Sequence, residues 1–157
     1  MTIDLPANPT QLAGLIALAA STLACVWAAR RTRRVAWMAL AGVHAALWLD
    51  ILLNTRHLVH DAVNGLLRAS GAYAQRAWLQ AVLLLLLIAL GGWAWRRRQR
   101  AGVATAATAL LLALVMVEMI SWHQSDRLLY AHFGPLLLIA YAWIACAAVV
   151  VWAALRR

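Results

Sequence analysis

The chain has 157 residues, of which 66% are hydrophobic and only 12% are charged, and its formal net charge is +9. A soluble domain is about 25% charged, so this composition excludes an ordinary soluble protein and predicts an all-α integral membrane protein. A net positive charge would point to nucleic acid in a soluble chain. Here it borders long apolar segments, so we expect the lipid bilayer, and no nucleic acid, as the partner.

Five apolar segments are long enough to cross a membrane. They cover approximately residues 11–29, 35–54, 78–95, 103–122 and 135–155. Each is close to the ~20 helical residues that cover ~30 Å of hydrocarbon. No linker, repeat or soluble region separates them, so we expect residues 1–157 to form a single helical membrane domain.

The arginines predict the orientation of these five spans. Ten of the 14 basic residues lie in three clusters, at 30–34, 96–100 and 156–157. The clusters follow spans one, three and five, so all three lie on one side of the membrane, and the positive-inside rule makes that side the cytoplasm. The N-terminus is then outside and the C-terminus cytoplasmic. The chain lacks lysine and is rich in alanine, leucine and arginine, as GC-rich bacterial genomes favour, so we expect the bacterial inner membrane.

Tryptophan and cysteine positions predict packing roles. Six tryptophans fall near span ends, where interfacial anchors occur: Trp37, Trp78, Trp93, Trp95, Trp122 and Trp152. Trp48 and Trp143 are deeper, so we expect them to pack between helices. Cys25 and Cys146 lie inside spans without CxxC spacing, which indicates small packing residues rather than a redox pair.

A helical pattern continues beyond the second span, through an outer segment at 55–77. Apolar residues at 58, 59, 62, 63, 66 and 67 form one face, and polar residues at 57, 60, 61, 64 and 68 form the other. A continuous helix from Val35 to Arg68 would be ~50 Å long, more than the hydrocarbon thickness. The extension therefore protrudes, or bends near Asn54 and lies along the outer interface as amphipathic helices do. Ser70 and Gly71 are predicted to end it.

The arginines outside the clusters, the histidines and the acids meet at the outer face and define the predicted site. The candidate catalytic residues are Asp50, His60, Glu118 and His123. The candidate ligand-binding residues are Arg56, Tyr73, Arg76, Gln80 and Arg127. The candidate metal ligands are His57, His60, Asp61, His123 and Asp126.

Each residue type has a chemical reason to belong there. Imidazoles and carboxylates bind zinc or copper, although the HxxH of His57 and His60 followed by Asp61 is no recognised metal motif. Guanidinium groups hold anionic or polar head groups through forked donors. Asp50 lies about a turn below the interface, where an ionised side chain requires a partner. Either it pairs with Arg56 or Arg76 to hold helices together, or it belongs to a ligand or proton site.

Haem is the weaker cofactor hypothesis and a divalent metal the stronger one. Haem needs two axial ligands on facing helices at matching depth. His44 lies ~15 Å below the outer boundary and is expected to have no partner at that level. The remaining pairing, His57 or His60 with His123, would place haem near the surface.

Three functions remain open. The leading hypothesis is a small enzyme or binding protein, metal-dependent or acid/base, whose outward-facing pocket takes an amphiphilic ligand resembling a lipid or quinone. The alternative is a non-catalytic accessory subunit of a larger membrane complex. A transporter of protons, ions or small solutes is the third hypothesis. A path through the membrane would need polar groups at several depths, and the inner halves of spans one, three and five offer almost none. Five short spans enclose little volume, so we expect a homo-oligomer or a larger complex.

Overall fold

The computed structural model describes residues 8–53, 55, 62, 65–66, 68–71, 76–96, 100–120 and 129–156. These residues are mostly helical, in α1 (Pro9–Thr32), α2 (Val35–Leu53), α3 (Arg76–Arg96), α4 (Arg100–Ile120) and α5 (Leu138–Leu155). Among the described residues, α1, α2 and α5 are long and apolar enough to cross a membrane, and Ala101–Val117 of α4 is a shorter apolar helix. The apolar helical character is confirmed, while the crossing of all five helices stays a prediction.

Local signals explain where α1 begins and ends. The Asn8 side chain accepts a hydrogen bond of 3.0 Å from the Thr10 amide, and Pro9 occupies the first turn, where its missing N–H costs nothing. Arg33 ends the helix with φ of 53°, and its amide donates to the Ala29 carbonyl. A two-residue connection then leads directly into α2, so α1 and α2 form a tight antiparallel hairpin.

The five helices alternate in direction. α1 packs against α2 and α5, and α4 packs against α3 and α5. Gln11 in the first turn of α1 bonds to Ile51 near the end of α2, and Gly91 of α3 lies against Ala106 and Ala109 of α4. The ends of α1, α3 and α5 and the starts of α2 and α4 therefore share one end of the bundle, which we call the basic end. The opposite end, with the start of α1 and the last turn of α2, is the polar end.

The core differs between the two ends. Towards the basic end it consists largely of small residues, among them Ala24, Cys25, Ala28 and Ala153, which allow close helix approach. Towards the polar end it contains larger side chains such as Leu18, Ile51, Leu111 and Trp143. Both cysteines are buried free thiols, in agreement with the predicted packing role.

The start of the fifth helix differs from the prediction. The expected span began at residue 135, whereas α5 begins at Leu138. The preceding residues form a short antiparallel hairpin of β1 (His132–Phe133) and β2 (Leu136–Leu137). Gly134 at φ of 66° makes the turn, a conformation open to glycine at no steric cost. The Tyr141 hydroxyl donates to the Phe133 carbonyl over 2.7 Å and holds the hairpin against α5.

One tryptophan prediction is wrong. Trp37 is only 3% exposed and packs in the alanine-rich part of the core instead of anchoring at the interface. Trp143 is buried, as predicted, while Trp78, Trp93 and Trp152 are exposed. Position along the chain predicts depth, but it does not predict which side of the helix a side chain occupies.

Part of the segment after α2 is helical. Residues 62, 65, 66, 68 and 69 have helical backbone. The Ser70 amide donates to the Leu66 carbonyl, and Gly71 has φ of 71°. The helix therefore ends at Ser70 and Gly71, as the sequence predicts. The choice between a protruding and an interfacial segment depends on residues outside the described ones.

Candidate functional site

Most of the predicted site lies outside the described residues. This applies to Arg56, His57, His60, Asp61, Tyr73, His123, Asp126 and Arg127. Among the residues that the structure does describe, no three histidine, cysteine or acidic side chains come together as a metal site. All five predicted metal ligands fall outside that search, so the metal hypothesis stays a prediction.

The helices nevertheless place four predicted positions at the polar end. His44 of α2 contacts Thr108 of α4, 64 residues further along the chain, and both helices start at the basic end. Asp50 is therefore level with about residue 114, and Glu118 lies ~6 Å beyond that level at 1.5 Å per residue. Because Gly91 faces Ala106 and Ala109 across the antiparallel pair α3–α4, the backbone at Gln80 is level with about residue 118. Arg76, at the start of α3, is one turn further out.

Asp50 is the predicted catalytic residue whose side chain the structure describes. It is half-buried in the last turn of α2. Its Oδ1 accepts a hydrogen bond of 2.6 Å from the Thr55 hydroxyl, and the Thr55 amide donates to the Asp50 carbonyl. The Asp50 side chain thus binds the chain where it leaves α2. The predicted pairing with Arg56 or Arg76 involves side chains outside the described residues.

Further polar contacts tie the helix ends together around Asp50. The Gln11 side-chain amide donates to the Ile51 carbonyl over 2.8 Å, which satisfies one of the last carbonyls of α2, where no intrahelical donor is available. The Leu137 amide donates to the Thr10 hydroxyl over 3.1 Å. The starts of α1 and α5 are therefore fixed to each other, and α1 is fixed to the end of α2. This gives the polar end a defined backbone frame.

A second polar constellation, which sequence analysis missed, lies deep in the bundle. Ser21 Oγ is 2.8 Å from His44 Nδ1, and His44 Nε2 is 3.0 Å from Thr108 Oγ1. Ser21 and His44 are fully buried and Thr108 is 4% exposed. We call these three residues the His44 cluster. It joins α1, α2 and α4. The expectation that His44 has no second haem ligand at its level stays a prediction.

The hydroxyl groups of the His44 cluster also bond to their own helices. Ser21 donates to the Leu18 carbonyl over 3.0 Å, and Thr108 donates to the Ala104 carbonyl over 2.9 Å. A neutral imidazole has one N–H, so the ring and the two hydroxyls supply three hydrogens for four hydrogen bonds. One hydroxyl must then turn from its carbonyl towards the ring. This costs little because that carbonyl still accepts its helical N–H.

The His44 cluster is a buried bridge between three helices. Both ring nitrogens face hydroxyl groups, and the ring has no solvent-exposed surface. In hydrocarbon a polar side chain without a partner is costly, so such hydrogen bonds favour one helix arrangement over others. Part of this cluster could have been predicted from the sequence. A short turn at Arg33 and Arg34 joins α1 to α2, and Ser21 and His44 are almost equally distant from that turn. The two residues are therefore expected at about the same level of the helical hairpin.

Comparison with known proteins adds no further assignment. No protein-family model, no curated protein and no solved structure matches the chain.

Proposed function

We propose that the chain is a five-span protein of the bacterial inner membrane that binds the polar head of an amphiphilic ligand at its polar end, outside the cytoplasm. The basic end then faces the cytoplasm, as the positive-inside rule requires. The observation that supports this proposal is the opposite sorting of polar groups in the bundle. The helices carry Asp50, Arg76, Gln80 and Glu118 to one end, and the described arginines of the three clusters lie at the other.

The chemistry of the proposed site follows from its residue types. Asp50 and Glu118 supply carboxylates near the membrane boundary, where they bind or exchange protons with a ligand head group. Arg56, Arg76 and Arg127 hold an anionic or polar head through paired N–H donors. His57, His60 and His123, with Asp61 and Asp126, bind a divalent cation such as zinc. The apolar tail of a lipid-like or quinone-like ligand remains in the bilayer.

The ligand part of the proposal is tested by purification in detergent-free membrane discs, followed by mass spectrometry of extracted lipids and quinones. We expect one amphiphile to be enriched over the surrounding membrane. Asp50→Asn and Glu118→Gln should reduce this enrichment, whereas Thr105→Val, near the basic end of α4, should not. Equal lipid profiles for the protein and for empty membrane discs would overturn the proposal.

The metal part is tested on the same preparations by elemental analysis. We expect a bound divalent metal that is lost in His60→Ala and His123→Ala. His132→Ala provides the matched control, because His132 is an exposed histidine on β1 that is not a predicted ligand. Equal metal content in all three variants would exclude the predicted ligand set. A stoichiometric larger protein in native purification would instead support the accessory-subunit role.

A further inference from the structure

A cavity of about 500 Å³ opens at the basic end of the bundle. It lies where α1 and α5 end and where α2 and α4 begin. Arg31, Arg34 and Arg156 line it together with Thr32. Its remaining lining consists of Trp37 and four alanines, so a strongly basic rim surrounds an apolar interior.

Two of these arginines lie over tryptophan rings. The Arg31 guanidinium carbon is 5.1 Å from the centroid of the Trp27 ring, and that of Arg156 is 4.0 Å from the Trp152 ring. A guanidinium group over an aromatic face is held there by electrostatic attraction to the ring. The two tryptophans therefore hold these cations beside the cavity.

The surrounding charge makes this cavity attractive to anions. Of the acids that lie on α1 to α5, Asp50 and Glu118 are near the polar end. Asp50 follows Trp37 by 13 residues, which places it ~20 Å away along α2. The first turns of α2 and α4 also lie at this end, and helix N-termini favour negative charge.

We propose that this cavity binds a phosphate group, carried by an acidic phospholipid headgroup or present as the free anion. The guanidinium groups of Arg31 and Arg34 supply paired donors for phosphate oxygens, and Arg156 adds positive charge at the rim. The Thr32 hydroxyl instead donates to the Ala28 carbonyl over 2.8 Å. The apolar interior favours the lipid source, because it accepts the carbon skeleton next to the phosphate. This site is at the opposite end from the proposed amphiphile site and does not depend on it.

The test measures lipid and phosphate binding by the full chain in nanodiscs. Native mass spectrometry compares discs of phosphatidylcholine alone, discs with added phosphatidylglycerol, and phosphatidylcholine discs with inorganic phosphate. The test variant is Arg31→Gln with Arg34→Gln. The control is Arg30→Gln with Arg33→Gln, which removes the same charge, likewise one arginine from the last turn of α1 and one from the connection to α2, at exposed positions that do not line the cavity.

We expect the test variant to bind the acidic lipid more weakly by about tenfold for each guanidinium removed, as for hydrogen bonds to charged groups. The control should keep wild-type affinity. Ala101→Phe, which fills the cavity without a change in charge, should also weaken binding. Saturation by inorganic phosphate alone would support the site with the free anion as its ligand. Equal affinities in the test variant and the control, or no preference for either anion, would overturn the proposal.

Discussion

Replacing Thr108 by valine isolates the contribution of the His44 cluster. Valine keeps the branched shape of threonine and removes the hydroxyl that lies 3.0 Å from His44 Nε2. His44 is fully buried, so no water replaces the lost partner. The Ala104 carbonyl also loses the Thr108 hydroxyl, but it keeps its helical N–H. The main effect of the substitution is therefore an imidazole nitrogen without a partner.

The size of this effect follows from the burial of the ring. Interhelical hydrogen bonds in membrane proteins contribute about 0.6 kcal/mol on average and up to about 1.7 kcal/mol. An unsatisfied buried group in a soluble protein costs about 1–3 kcal/mol. Because the imidazole is completely enclosed, we expect Thr108→Val to lower the free energy of unfolding by about 1–2 kcal/mol. Unfolding by sodium dodecyl sulfate, followed by tryptophan fluorescence, measures this value.

Thr105→Val is the matched control on the same helix. Among the described residues, the Thr105 hydroxyl bonds to the Ala101 carbonyl alone, over 2.7 Å, and Thr105 is half-buried. We expect its replacement to be nearly neutral. In a His44→Phe background, Thr108→Val should cost much less than in the wild type, because the interaction is already absent. Equal losses in Thr108→Val and Thr105→Val, or additivity with His44→Phe, would refute the reasoning.

Other predictions concern packing. A Cβ at Gly14 would lie 2.7 Å from Trp143 Cε3, so Gly14→Ala should lower the free energy of unfolding by about 1–3 kcal/mol. At Gly42, no described part of the chain lies within 4 Å of an added Cβ, so Gly42→Ala should raise the free energy of unfolding by about 0.5–1 kcal/mol. The same unfolding assay checks both variants, and changes of equal sign would contradict the packing of α1 against α5. Tyr141→Phe removes the hydrogen bond to the Phe133 carbonyl. It should speed amide hydrogen exchange in the β1–β2 hairpin and hardly change the free energy of unfolding of the whole protein. Unchanged exchange would contradict the role of Tyr141 in holding the hairpin.

The lengths of the apolar segments and the positions of the arginine clusters were enough to locate the five helices. In a chain of this composition the cost of leaving backbone polar groups unpaired in hydrocarbon dominates, and helices satisfy those groups. The fifth helix shows the limit. Pro135 is compatible with a helix start, but with Gly134 at positive φ it forms a turn, and α5 starts three residues later. Two-residue strands carry too little periodicity to be recognised.

The sequence predicts at which end of the bundle the site residues lie, but it does not predict which side chains they contact. Topology alone brought the backbone of Asp50 and Glu118 to the same end of the bundle. The Thr55 partner of Asp50 depends on how the chain leaves α2, which hydrophobic periodicity does not specify. The depth of His44 was also predictable, whereas its bond to Thr108 depends on the packing of α2 against α4, helices that lie far apart in sequence.

The measurement that tests the central claim most directly is cysteine labelling in intact cells with a membrane-impermeant maleimide. Cys25 and Cys146 are buried, so they give a low background. Ala69→Cys and Ala131→Cys are exposed positions outside the helical bundle on the polar side, and Thr32→Cys is exposed at the basic end. We expect the first two to be labelled from outside and Thr32→Cys to be labelled only after the membrane is permeabilised. Labelling of Thr32→Cys in intact cells, with protection of the other two, would contradict the proposed orientation and an outward-facing site.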